Sequence, residues 1–253
     1  MAEVKNVLSI DMDYVMAPTI QLYNHYVDRI YHDIVEEFGE KDGGYWGTKN
    51  KTFWEWMNDD LFCDKYLVFD QTKYQNIVNL LRNKVQQIPD SNIYFGKEHD
   101  AILTFLCGDD KKCDFNYNVY NVDHHHDIYY DERARDNIER FAFAGLAEWV
   151  WYLFDFGRLN SYHWISNVES EKFAYNIDGI DAFNTLHDTE NVTDLEDINF
   201  DYIFICKSEY YLPYKYQFLF DEVKKSVESV KNTVFPIDKE SYCNGMTRFP
   251  ACW

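Results

Sequence analysis

Residues 122–127 read VDHHHD, three consecutive histidines between two aspartates, at the end of the run FNYNVYNV. A second acidic pair lies near the start of the chain, in SIDMDY at 9–14. Side chains on a strand alternate between its two faces. On that periodicity Asp123, His125 and Asp127 share one side, His124 and His126 take the other, and Asp11 and Asp13 fall together. Four carboxylates gathered without a cation would repel one another, and several would have to stay protonated. A divalent ion removes that conflict. Hard oxygen donors mixed with imidazole favour Mn²⁺ over a structural zinc, which prefers thiolates or a closed tetrahedral set. Shared carboxylates also suit a pair of ions, the arrangement used in two-metal hydrolysis. His124 and His126 are then expected to support the ligands from behind or to face solvent.

Such residues need a scaffold that brings distant segments together. Four short apolar stretches end in acids, histidines or other polar groups: NVLSI (6–10), NIYF (92–95), YNVYNV (117–122) and YIFIC (202–206). Helix-like segments lie between them at 19–38, 71–87, 133–154 and 217–231. Strands alternating with helices predict an α/β fold, a mostly parallel sheet flanked by helices. In open parallel sheets ligands gather beyond the carboxyl ends of the strands, where these acids and histidines fall. No Pro/Gly/Ser-rich linker divides the 253 residues, so the expectation is a single domain over 1–253.

The formal charge of −20 disfavours a nucleic-acid partner and is compatible with a metal or a cationic substrate. The start, MAEVKNVLSIDMD, has acids interrupting its apolar stretch and does not read as a signal peptide. The most apolar window, FAFAGLAEWVWYLFDF at 141–156, is interrupted by Glu148 and Asp155 and too short for a bilayer. No membrane partner is expected. Six cysteines without a CxxC pair read as reduced thiols of a cytoplasmic protein.

DxHxD (Asp123, His125, Asp127) together with S-x-D-x-D (Ser9, Asp11, Asp13) resembles the arginase–deacetylase superfamily. Its members hold two Mn²⁺ ions at their strand ends. KEHDAIL (97–103), AEWVWYLFDFGRLNSYHWISN (147–167) and ICKSEYYLPYKY (205–216) resemble the peptide arginases and their uncharacterised relatives. The resemblance implies that Asp11 and Asp123 bridge the ions. His99 and Asp127 would complete one shell, and His125 and Asp13 the other. It further implies hydrolysis of arginine to ornithine within a ribosomal precursor peptide, with a carboxylate holding the guanidinium. Glu148 and Glu209 are the candidates for that role.

Two departures from the family stand out. Here the DxD strand opens the chain, whereas in ordinary arginases it follows DxHxD, so the strand order is permuted. The family's GNxHG-like stretch is absent, and the region of Glu148 and Trp149 takes its place. Two other readings compete. An early DxD followed by Asp123, His124 and His125 also fits the Mn²⁺-dependent DHH phosphoesterases. A metal-stabilised, non-catalytic binding protein is the third.

Overall fold

A computed structural model describes residues 2–18, 67–108, 113–124, 127–128, 149–166, 191–208 and 212–238. Its centre is a six-stranded sheet whose pairings are all parallel. The sheet comprises β1 (Val4–Asp11), β4 (Ile93–Gly96), β5 (Asn116–Asp123), β6 (Leu159–Ser166), β7 (Tyr202–Cys206) and β8 (Ile237–Asp238). Their spatial order is β6-β5-β1-β7-β4-β8. A separate antiparallel ribbon pairs β2 (Met16–Pro18) with β3 (Leu67–Phe69). The helices are α1 (Gln71–Lys84), α2 (Ala101–Cys107), α3 (Trp149–Asp155) and α4 (Phe218–Lys231).

β1 is central, and its residues from Val7 onward are all buried, as expected of a strand covered on both faces. Alternation along it separates two cores. Leu8 and Ile10 join Ile203, Ile205 and Val122 against α1 and α4, through Ile77, Leu81, Phe220 and Val223. Val7 joins Val119, Tyr117 and Phe204 against α2 and α3, through Ile102, Leu103, Trp149 and Val150. Ser9 and Asp11 share the side of Val7, and Asn121 and Asp123 the side of Val119. The polar strand ends therefore face α2 and α3.

The helix ends follow from local chemistry. Asp70 starts α1, its carboxylate accepting from the backbone N–H groups of Thr72 (2.9 Å) and Lys73 (3.0 Å). Asn232 closes α4 in the left-handed conformation, and Gly108, at φ 67°, closes α2. Among the described residues no helix is long and apolar enough to cross a membrane.

The four expected strands are present, and the segments 71–87 and 217–231 contain α1 and α4. Of 133–154, only α3 at its end is described, and 19–38 lies outside the described residues. β6 was not foreseen: Asn160, Ser161 and His163 dilute its apolar pattern because it is an edge strand, half covered. The expectation of reduced thiols is corrected at one place. Cys107 and Cys113 form a disulfide that closes the loop after α2, whereas Cys206 is free and buried.

Candidate metal centre

Strand register brings the acidic ends together. Asp11 pairs in register with Cys206, Ile10 with Val122 and Gly96 with Cys206. β1, β4, β5 and β7 therefore stop side by side. β4 leads into His99, two residues before α2 begins, where the His99 carbonyl accepts from the Ile102 N–H at 3.1 Å. The imidazole stacks on Phe204 (5.8 Å between ring centroids, 9° between planes) and lies against Trp149 at 5.1 Å. Gly96 makes that seat possible, because a Cβ there would lie 2.8 Å from the Phe204 ring.

Three carboxylates converge on one nitrogen. His99 Nδ1 lies 3.2 Å from Asp11 Oδ2, 3.1 Å from Asp123 Oδ2 and 2.8 Å from Asp127 Oδ2, and all four residues are buried. None of these contacts has the alignment of a hydrogen bond. The ring's other nitrogen, Nε2, meets Ser9 Oγ at 2.6 Å. A neutral imidazole pointed this way offers a lone pair to a space bounded by carboxylate oxygens. With ligands at about 2.1 Å from a divalent ion, adjacent octahedral donors lie about 3.0 Å apart and tetrahedral donors about 3.4 Å. The three nitrogen–oxygen separations are compatible with donors around one divalent ion, and Asp11, His99 and Asp123 form a group that could hold a metal. Asp11 Oδ1 is also buried without a hydrogen-bond partner.

Burial and close approach set the electrostatics of these groups. Burial pushes the Asp123 carboxyl up to about 7, with Asp127 and Asp11 adding to the rise and His99 opposing it. Burial and Asp13 raise Asp11, against His99 and the Ser208 hydroxyl. Burial alone would lower His99, but Asp127, Asp11 and Asp123 together hold it well above the ordinary histidine value. One imidazolium thus faces three acids, and a divalent cation bound there would compete with the protons they hold.

The route by which these groups meet differs from simple strand alternation. β1 ends at Asp11, and Asp13 sits in the 3-10 turn Met12–Val15 that follows, near enough for its charge to raise the Asp11 carboxyl. Its Oδ1 faces the backbone N–H of half-buried His124 at 3.5 Å, and the close group consists of Asp11, His99 and Asp123. β5 likewise ends at Asp123. Asp127 returns to the cluster through a left-handed backbone (φ 51°), a conformation Asp tolerates better than most residues. His125, His126, Glu148 and Glu209 lie outside the described residues.

Several supporting groups were not anticipated. The Trp149 indole N–H donates to Asp127 Oδ2 at 2.5 Å. Asn121 Nδ2 reaches both Asp123 Oδ2 (3.2 Å) and the Tyr162 hydroxyl (3.1 Å). The Trp164 indole donates to the Asp123 carbonyl at 3.0 Å. Asn121 was accessible to the alternation argument, since it lies two residues before Asp123 on the same face. Nothing in the local sequence joins Trp149 to Asp127, 22 residues earlier. Comparison with protein-family models, curated proteins and solved structures yields no match.

Proposed function

We propose that this chain is a manganese-dependent hydrolase, a peptide arginase that converts arginine side chains of a precursor peptide to ornithine and urea. The convergence of Asp11, Asp123 and Asp127 on His99 Nδ1 at the strand ends carries this reading. Asp11, His99, Asp123 and Asp127 would hold one ion, with Asp13 and His125 contributing to a second that shares Asp11 and Asp123. When bound, such a pair supplies hydroxide near neutral pH. Water adds to the guanidinium carbon, the bond from that carbon to the side-chain nitrogen breaks, and urea leaves as the nitrogen gains a proton.

The cationic fork calls for a carboxylate able to accept paired hydrogen bonds. Glu148 and Glu209 are assigned to it. Their sequence neighbours reach the cluster: Trp149 through Asp127, and Ser208 beside Asp11. Ser208 also has a left-handed backbone (φ 55°) and is buried, a strained turn of the kind found at functional sites. The net charge of −20 favours approach of a basic peptide.

Mass spectrometry of arginine-containing peptides incubated with the Mn²⁺-loaded protein tests the reading. The expected result is loss of a cyanamide equivalent at each converted arginine, with urea in solution. Glu148→Gln and Glu209→Gln are expected to lower turnover with near-normal metal content. No mass change across varied arginine peptides would refute the arginase assignment.

A further inference from the structure

α3 reaches over the segment after β5 with two indoles, and the two do different things. Trp151 Nε1 donates to the backbone carbonyl of Ile128 at 2.7 Å. Trp149 Nε1 donates to the side chain of Asp127, at the same Oδ2 that lies 2.8 Å from His99 Nδ1. Trp149 is fully buried, and its ring also packs on the His99 ring. Asp11 and Asp123 are the last residues of strands, so the sheet fixes them. Asp127 belongs to no strand or helix and has a left-handed backbone.

From this arrangement we infer that Trp149 is a positioning residue: its N–H locks the Asp127 carboxylate in the orientation that completes the donor set around His99. The inference rests on the metal-centre reading above and deepens it. An indole has one donor and no acceptor, so it cannot ligate an ion. A carboxylate oxygen has two lone-pair directions. One is taken by the indole N–H, and the other stays directed at the space beside His99 Nδ1. Without the N–H, a buried oxygen loses its partner and the side chain regains rotational freedom. Outer groups that orient metal ligands typically change affinity 10–100-fold when removed, by about that factor in other proteins.

The test compares Trp149→Phe with Trp151→Phe by calorimetric Mn²⁺ titration of the full chain, alongside circular dichroism. Both substitutions keep a buried aromatic ring and remove one hydrogen bond to the same segment. Trp149→Phe is expected to weaken Mn²⁺ binding about 10–100-fold at unchanged stoichiometry and unchanged fold. Trp151→Phe is expected to shift it less than about threefold, because its bond reaches a backbone carbonyl and no ligand atom. In turnover assays, saturating Mn²⁺ is expected to restore the kcat of Trp149→Phe. A Trp149→Phe affinity within about threefold of the parent, or equal losses in both variants, overturns the proposal.

Should Trp149→Phe fail to fold, the parent itself carries the test through ¹⁵N-indole NMR with diamagnetic Zn²⁺. One indole resonance is expected to shift on loading and also in metal-free Asp127→Asn; if none responds to both, the inference fails. A parent that binds no divalent ion overturns this inference and the metal centre together. A Trp149→Phe affinity defect in a protein that leaves arginine peptides untouched supports the inference and removes only the arginase activity.

Discussion

The two faces of the central strands are built from alternate residues of the same strands and serve different ends. On the α1/α4 face, Leu8, Ile10, Val122, Ile203 and Ile205 meet apolar helix residues without interruption. On the α2/α3 face the apolar pattern holds for Val7 and Val119 and then gives way to Ser9, Asp11, Asn121 and Asp123, all buried. Burying such groups costs free energy unless they are paired. The first face is what physical chemistry produces when only folding matters. The second carries three acids and a histidine within reach of one another, a load that folding alone does not explain. Function is therefore read from the departure of one face from the pattern of the other.

The largest predicted effect separates the faces outright. Asp123→Ala is expected to abolish stoichiometric Mn²⁺ binding and turnover while leaving the metal-free melting temperature near the parent's. It removes one member of a crowded acid cluster, and the lost packing is offset by relief of repulsion. Ile10→Ala, one position before Asp11 and facing the other way, is expected to do the reverse. Deleting a fully buried aliphatic side chain costs about 2–5 kcal/mol of stability. Its folded fraction should keep the metal content of the parent. Elemental analysis and thermal melts on both variants read the contrast. A melting loss in Asp123→Ala as large as that of Ile10→Ala would mean that the acidic face is structural after all.

A second prediction sharpens the comparison through pH. The Asp123 carboxyl sits at about 7 in the folded, ion-free protein, well above the ordinary value of about 3.9 that it takes when unfolded. The folded state thus binds the extra proton between those limits, and the stability this proton supplies is lost as pH rises through about 7. His99, also raised, acts in the same direction: its contribution is present below the ordinary histidine value and is lost as pH climbs through the folded one. The metal-free protein is therefore expected to lose stability between about pH 5 and 8. Mn²⁺ competes with those protons, so its affinity and the stability it adds rise over the same interval. The gap between the loaded and metal-free melting curves is expected to widen with pH. Subtracting one curve from the other cancels titrations remote from the site. A gap independent of pH would exclude His99 and Asp123 from the ligand set.

Much of this contrast was legible in the sequence. The four apolar runs became β1, β4, β5 and β7, and their polar termini fell on one edge because parallel strands share a direction. Alternation correctly grouped Asp123 with Asp127, yet by the wrong route, since β5 stops at Asp123 and a left-handed turn brings Asp127 back. The same rule does not extend to Asp13, which lies in a 3-10 turn beyond the strand and raises the Asp11 carboxyl from there. Periodicity describes an element only while the element lasts, and functional residues gather where elements end. The roles of Trp149 and Phe204 were invisible for another reason. They depend on which helix and strand pack beside His99, and sequence spacing does not encode that neighbourhood.

The smallest predicted effect concerns the histidines of DHHHD. His124 is half-buried, and its backbone N–H faces Asp13 Oδ1 at 3.5 Å. Alanine retains that N–H, and the proposed ligand set does not include the His124 imidazole. His124→Ala is accordingly expected to change metal affinity and turnover by no more than about 0.5 kcal/mol, a factor of about two. The proposed ligand role of His125 gives the opposite expectation, loss of turnover in His125→Ala with the second ion's stoichiometry lost first. Parallel Mn²⁺ titration and peptide turnover on the two variants decide the register of DHHHD. An indispensable His124 beside a dispensable His125 would reverse it. That outcome would leave the His99 cluster intact and move the second ion's imidazole to the other side of the chain, the arrangement expected of a DHH phosphoesterase.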